Sequence, residues 1–143
     1  MKAMQYDRAY QLLSETDQDV LSLEDFLAYM EKRYGYMEDI KKESAVFYNF
    51  VQKGFFTFEV LSKRQQNGDV EYNIEIAFAD HNTVAFLLHT ALDMESPDIT
   101  QEEKEQLFGK VIGHMYPDGN PPLLANMVTY RAVQEGGMWR LHT

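Results

Sequence analysis

Four histidines, a polar pair on one candidate strand and two acidic loops hold most of the side chains here whose types suit chemistry. His89 stands apart from the others. It lies inside the apolar run Thr83-Val84-Ala85-Phe86-Leu87-Leu88-His89-Thr90-Ala91-Leu92, and on a strand it would share a face with Ala85, Leu87 and Ala91. An imidazole among small apolar neighbours is either a general base in a cavity or a satisfied core or interface histidine. The second is the commoner case, because burial alone rarely marks catalysis. Asn126 and Tyr130 share a strand face with Leu124, Val128 and Ala132, so with His89 they make a candidate cavity. Polar groups among apolar ones orient a small ligand, and they also serve as ordinary cross-strand hydrogen bonds. His81 in a turn, His114 near a helix C-terminus and His142 at the chain end have surface explanations.

The acidic clusters fall short of metal sites. Glu15-x-Asp17-x-Asp19 resembles the start of a calcium loop, but Val20 stands where the sharp turn needs Gly and Phe26 where a bidentate Glu belongs. Asp93, Glu95 and Asp98 precede a helix, whose N-terminal dipole accounts for them. The chain has no cysteine, hence no thiolate zinc site, disulfide or cysteine nucleophile. No His-Glu-x-x-His pair, Gly-rich phosphate loop, nucleophile elbow or Ser–His–Asp order occurs. The expectation is no metal and no cofactor.

The elements that must position these residues follow from period. Tyr6, Ala9, Tyr10 and Leu13 recur at helical spacing. Residues 14–21 read as a polar, solvated loop. Ser22 then caps a second helix whose apolar stripe is Leu23, Phe26, Leu27, Met30 and Tyr34, closed by Gly35. Residues 55–79 read as a hairpin: Phe55-Phe56-Thr57-Phe58 leads in, Asn67-Gly68 turns, and Val70, Tyr72, Ile74, Ile76 and Phe78 alternate with Glu71, Asn73 and Glu75. The run at 83–92, apolar on both faces, reads as a central strand, with a short buried helix as the alternative. Thr100 to Glu103 matches a capping box, followed by the stripe Leu107, Phe108, Val111, Ile112 and Met115. Strands return near Leu124–Ala132 and, past Gly136-Gly137, at Met138–Leu141. The order predicts a single α+β domain over residues 1–143 with a mainly antiparallel sheet.

Composition narrows the partners. At 143 residues, 45% hydrophobic and 13% aromatic, the chain has enough apolar surface to bury a core. Its formal charge of −10 disfavours nucleic acid and anionic lipid surfaces. No stretch of about 18 apolar residues is present to span a bilayer. The first residues lack a leader's apolar core, which points to the cytoplasm as the chain stands and to an extracytoplasmic site if a leader was trimmed.

Two stretches resemble a known family. Tyr6-Asp-Arg-Ala-Tyr-Gln-Leu-Leu-Ser14, followed by Leu21-Ser-Leu-Glu-Asp-Phe26, is similar to the opening of nuclear transport factor 2-like domains. The nearest likeness is to accessory versions in small bacterial lipoproteins and before some penicillin-binding transpeptidase domains. Val128-Thr-Tyr-Arg-Ala-Val-Gln-Glu-Gly-Gly-Met-Trp-Arg-Leu141 is similar to their closing hairpin. Such domains carry more helix ahead of the first stretch, which implies a truncated chain. The resemblance implies a curved sheet wrapped on helices, a cone with a ligand-sized interior, and it implies no reaction. The expected function is non-enzymatic binding of a small apolar ligand or a protein partner. The rival is a cofactor-free isomerase, dehydratase or hydrolase with His89 as base and Tyr130 and Asn126 polarising a carbonyl. A homodimer joined through open sheet faces is expected, strengthening as salt screens the negative charge.

Overall fold

The computed structural model describes residues 6–54 and 57–142. Phe55 and Phe56, placed above in the first hairpin, lie outside the described residues. Helices α1 (Tyr6–Gln11), α2 (Glu15–Val20), α3 (Leu23–Tyr34), α4 (Tyr36–Glu43) and α5 (Ala45–Gln52) come first. Strands β1 (Thr57–Gln66) and β2 (Asp69–Ala79) follow, then helices α6 (His81–Asp93) and α7 (Gln101–Met115), then strands β3 (Leu123–Glu135) and β4 (Met138–His142). The class is α+β, with one open antiparallel sheet in the order β1-β2-β3-β4. The chain forms two compact units: a terminal one of Met1–Tyr36, Phe58–Glu75 and Met127–Thr143, and a central one of Met37–Thr57 and Ile76–Asn126.

The central unit carries the apolar core. Met37 and Ile40 of α4, Phe47, Phe50 and Val51 of α5, Val84 and Leu88 of α6, and Phe108 and Ile112 of α7 are buried. Helix α7 packs against both α5 and α6. Each of these helices begins on a side-chain cap. Ser44 accepts from the Phe47 amide at 3.0 Å, Asp80 from the Thr83 amide at 3.1 Å, and Thr100 with Glu103 forms the expected capping box. Gly54 sits where chains crowd: a Cβ there would lie 2.7 Å from Leu123 Cδ2, so only glycine fits without displacing a neighbour.

In the terminal unit α1 packs on α3, with the Tyr10 and Phe26 rings 5.5 Å apart, and the Tyr10 hydroxyl donates to the Leu21 carbonyl at 2.8 Å. Asn67 and Gly68 both have positive φ (51° and 85°), the backbone a two-residue hairpin turn demands. Gly136 and Gly137 repeat it between β3 and β4, where Val133 pairs with Arg140 and Gln134 with Trp139. The outer edge of β4 is met at Leu141. Leu141 donates to the Leu12 carbonyl and accepts from the Ser14 amide, both at 2.7 Å.

Two expectations are corrected. Residues 14–21 hold helix α2, because Ser14 accepts from the Asp17 amide and so starts a turn of helix within a polar stretch. Residues 83–92 are helix α6 and not a strand. Asp80 caps it, and Val84 and Leu88, one turn apart, supply its buried side. Phe86 is 70% exposed, which is why the run looked apolar on every side. Helices α4 and α5 lie in a stretch to which the sequence pattern assigns no element. Gly35 ends α3 as expected, in right-handed geometry, because α4 starts at the next residue.

Candidate functional site

His89 stands on α6, exposed to solvent, with Nε2 2.5 Å from the Glu43 Oε1 oxygen at the end of α4. Lys104 Nζ approaches the same oxygen at 3.8 Å, and the Gln101 side chain donates to the Glu43 carbonyl at 2.9 Å. This is an ion-paired cluster at a helix junction, with Nε2 committed to Glu43. Asn126 is exposed on β3, and Tyr130 is half-buried on the same strand.

Glu105 is a residue the sequence did not single out. Its carboxylate accepts from Ser44 Oγ at 2.8 Å and from the Ala45 and Val46 amides at 2.9 and 3.0 Å, so α7 caps the start of α5. Burial pushes its pKa upward, but these hydrogen bonds, with one from Gln101, outweigh it and hold the group below the ordinary value of 4.5. The bonds stabilise the charged form. Asp80 is likewise held low, chiefly by the Thr83 hydroxyl, against a smaller effect of burial.

In the terminal unit a serine, a histidine and an aspartate do meet. Ser14 Oγ lies 2.9 Å from His142 Nδ1 and 2.8 Å from Asp17 Oδ2. The arrangement is no nucleophile. Ser14 is fully buried, its proton goes to Asp17, and its lone pairs face the Asp17 amide and the histidine nitrogen. A relay needs the two imidazole nitrogens on different partners, whereas here Nδ1 faces both Ser14 and Asp17, the latter at 3.4 Å. Arg140 completes the clamp, donating to the Gln11 and Leu13 carbonyls at 2.7 and 3.3 Å, with Glu135 3.7 Å from its Nε. Glu135 in turn accepts from the Glu15 amide at 3.0 Å.

An open groove of about 380 Å³ lies beside the start of α7, lined by Glu95, Ser96, Asp98, Ile99, Glu103, Gln106, Leu107 and Lys110. His89, Asn126 and Tyr130 do not line it. Glu103 is spent on the Thr100 amide at 2.8 Å. Glu15, Asp17 and Asp19 now lie on a helix, where residues two apart diverge by about 200° and cannot converge on one ion. Among the described residues no three His, Asp or Glu gather as a metal would need.

The sheet of the terminal unit offers a broad surface. On one face Ser62, Asn73 and Thr129 link β1, β2 and β3 through hydrogen bonds of 2.8 and 2.7 Å, and Arg131 lies 3.8 Å from Asp69. Strand alternation puts Leu61, Tyr72, Ile74, Val128, Tyr130, Trp139 and Leu141 on the other. There Trp139 is 51% exposed, Leu61 46% and Leu141 38%. No helix among the described residues is long and apolar enough to cross a membrane. No protein-family model, curated protein or solved structure matches this chain.

Proposed function

We propose that this chain is a non-enzymatic interaction domain that takes up a protein partner, a second copy included, on the Trp139 face of its sheet. One observation carries the reading: Trp139, Leu61 and Leu141 stand exposed on one strand face, which also carries half-buried Tyr72 and Tyr130. Exposed aromatic and apolar residues on one sheet face are what the centre of a protein interface is made of. A protein surface suits this face better than a small ligand, because Trp139, Leu61 and Leu141 stand open to solvent. Kinship with the nuclear transport factor 2-like domains, cone and all, belongs to the same proposal. Its support is the order of helices before an antiparallel sheet and the closing Gly-turn hairpin. The enzyme reading has less behind it, since His89 is solvent-facing and its Nε2 is engaged by Glu43.

Trp139 is the single tryptophan of the chain, and carried as 5-hydroxytryptophan, which is excited where ordinary tryptophan does not absorb, it reports on this face alone even in an extract. In dilute solution iodide should quench it freely. Raising the protein concentration, or adding an extract of the source cells, should shift emission to the blue and shield it. Leu61→Asp should abolish that shift. Quenching that stays equal under all three conditions rejects the reading.

A further inference from the structure

The two edges of the sheet differ. Residues 12–14 bond β4 at Leu141, whereas no strand among the described residues pairs with the outer edge of β1, and all of β1 is exposed. An open edge is a template for another strand. The sequence of β1 says which strand fits.

Its two-residue turn makes Gln66 and Asp69 the first hydrogen-bonded pair of the hairpin, so alternate residues Gln66, Arg64, Ser62 and Val60 bond inward to β2. The direct bond between Asn73 and Ser62 agrees with that register. The amides and carbonyls of Glu59, Leu61 and Lys63 therefore point outward. We infer that β1 pairs antiparallel with β1 of a second copy about a two-fold axis at Leu61, joining the two sheets edge to edge. In this register Leu61 meets Leu61, and each Glu59 stands opposite the other chain's Lys63. Both pairs are of the outward-bonding kind, and the charge match occurs twice by symmetry. Arg64 falls opposite Phe58, a cation beside an aromatic ring. Among the described residues Glu59 and Arg64 make no ion pair within their own chain, and Lys63 rests over the Tyr72 ring at 5.9 Å. The neighbouring registers lose this match: moving the axis one residue toward the turn sets Glu59 against Gln65, and one further sets Lys63 against Lys63. Opposed like charges disfavour that last pairing.

The inference rests on the reading of this sheet as an interaction surface, but concerns its edge and not its face. Sedimentation of the full chain should show a dimer. Amide exchange should slow with protein concentration at Glu59, Leu61 and Lys63, while the inward-bonded Val60 and Ser62 amides stay protected throughout. Lys63→Glu and Glu59→Lys, both at exposed positions that the fold does not need, should each weaken the dimer by about tenfold or more. Two results are specific to the register: an equimolar mixture of these two variants should pair again, and the double variant Glu59→Lys/Lys63→Glu should regain self-association. A wild-type monomer at every soluble concentration overturns the inference, as does a dimer indifferent to Lys63→Glu. A wild-type dimer that obeys the charge swaps but leaves Trp139 freely quenched supports the edge and rejects the face. Trp139 shielded in a dimer indifferent to Lys63→Glu does the reverse.

Discussion

In the central unit Phe47, Val51, Val84, Leu88 and Phe108 lose almost all contact with water, whereas the most deeply buried described side chain of the terminal unit is a serine. The two units use different physics. Apolar burial in the first is non-directional, and its contributions accumulate over every side chain removed from water. The second is fastened by Ser14, Asp17, His142, Arg140 and Glu135, whose hydrogen bonds replace bonds to water and add about 1 kcal/mol each. Directional contacts set a geometry well and a stability poorly. The terminal unit is thus the natural place for low local stability and for surfaces completed by a partner.

Substitutions sharpen the contrast, and the largest effect belongs to the core. Phe108→Ala should cost about 3–5 kcal/mol, read as a fall in Tm and in the denaturant midpoint. A loss under about 1 kcal/mol would mean that α5, α6 and α7 do not share one core. Ser44→Ala comes next at about 2 kcal/mol, because it removes the cap of α5 and, from a buried position, one donor to Glu105. Ser14→Ala should cost about 1–2 kcal/mol, and its loss should be local. Exchange should quicken at the Leu141 and Ser14 amides while that at Phe108 stays slow. Uniform quickening would show one cooperative molecule instead. His89→Gln should change stability by less than about 1 kcal/mol, as the loss of one solvent-exposed polar contact does.

Acid should act through the carboxylates held low. Glu105 and Asp80 have folded-state pKa values below their ordinary 4.5 and 3.8, so the stability they add is complete above those values. It drains away as pH falls through the folded values. Melting temperature measured from neutral to strongly acidic pH should therefore drop on the acid side, and Glu105→Gln should flatten part of that drop. An unchanged slope would mean that the cap of α5 does not need the charge.

Capping was the part of the fold most legible in the sequence. Ser22, Thr100 with Glu103, and the two turns Asn67-Gly68 and Gly136-Gly137 act on neighbours within a few residues, so local pattern suffices. The sequence pattern reads α6 as a strand because alternation and helical period cannot be told apart in a run apolar on all sides. Its length of ten residues and the Asp80 cap were the signals that favoured helix. Ser44 was a readable cap as well, and the buried set Met37, Ile40, Phe47 and Val51 was there to be paired with it. The candidate site was less legible. Glu43 meeting His89, Glu105 capping α5 and Ser14 meeting His142 join residues 46, 61 and 128 positions apart, and no local pattern carries such pairings. The open edge of β1 is likewise a property of sheet order, which alternation within one strand does not encode.

That last separation has a consequence in time. Closing Ser14 onto His142 requires the chain to form a loop of nearly its whole length, while α5, α6 and α7 gather from segments much nearer one another. Long-range closure is the slow step in folding, and it waits for the rest of the chain to become compact. The core helices should consequently be in place before β4 takes up residues 12–14 on its edge. On a ribosome the order is stricter, because Arg140 and His142 are made after all of the core helices, whereas the segment they clasp is made before them. Until they emerge, the backbone of residues 12–14 stands without the strand it will meet. Linking the ends by a short flexible peptide and reopening the chain at Asn67-Gly68 would turn that late, distant encounter into an early, local one, and refolding should speed up accordingly.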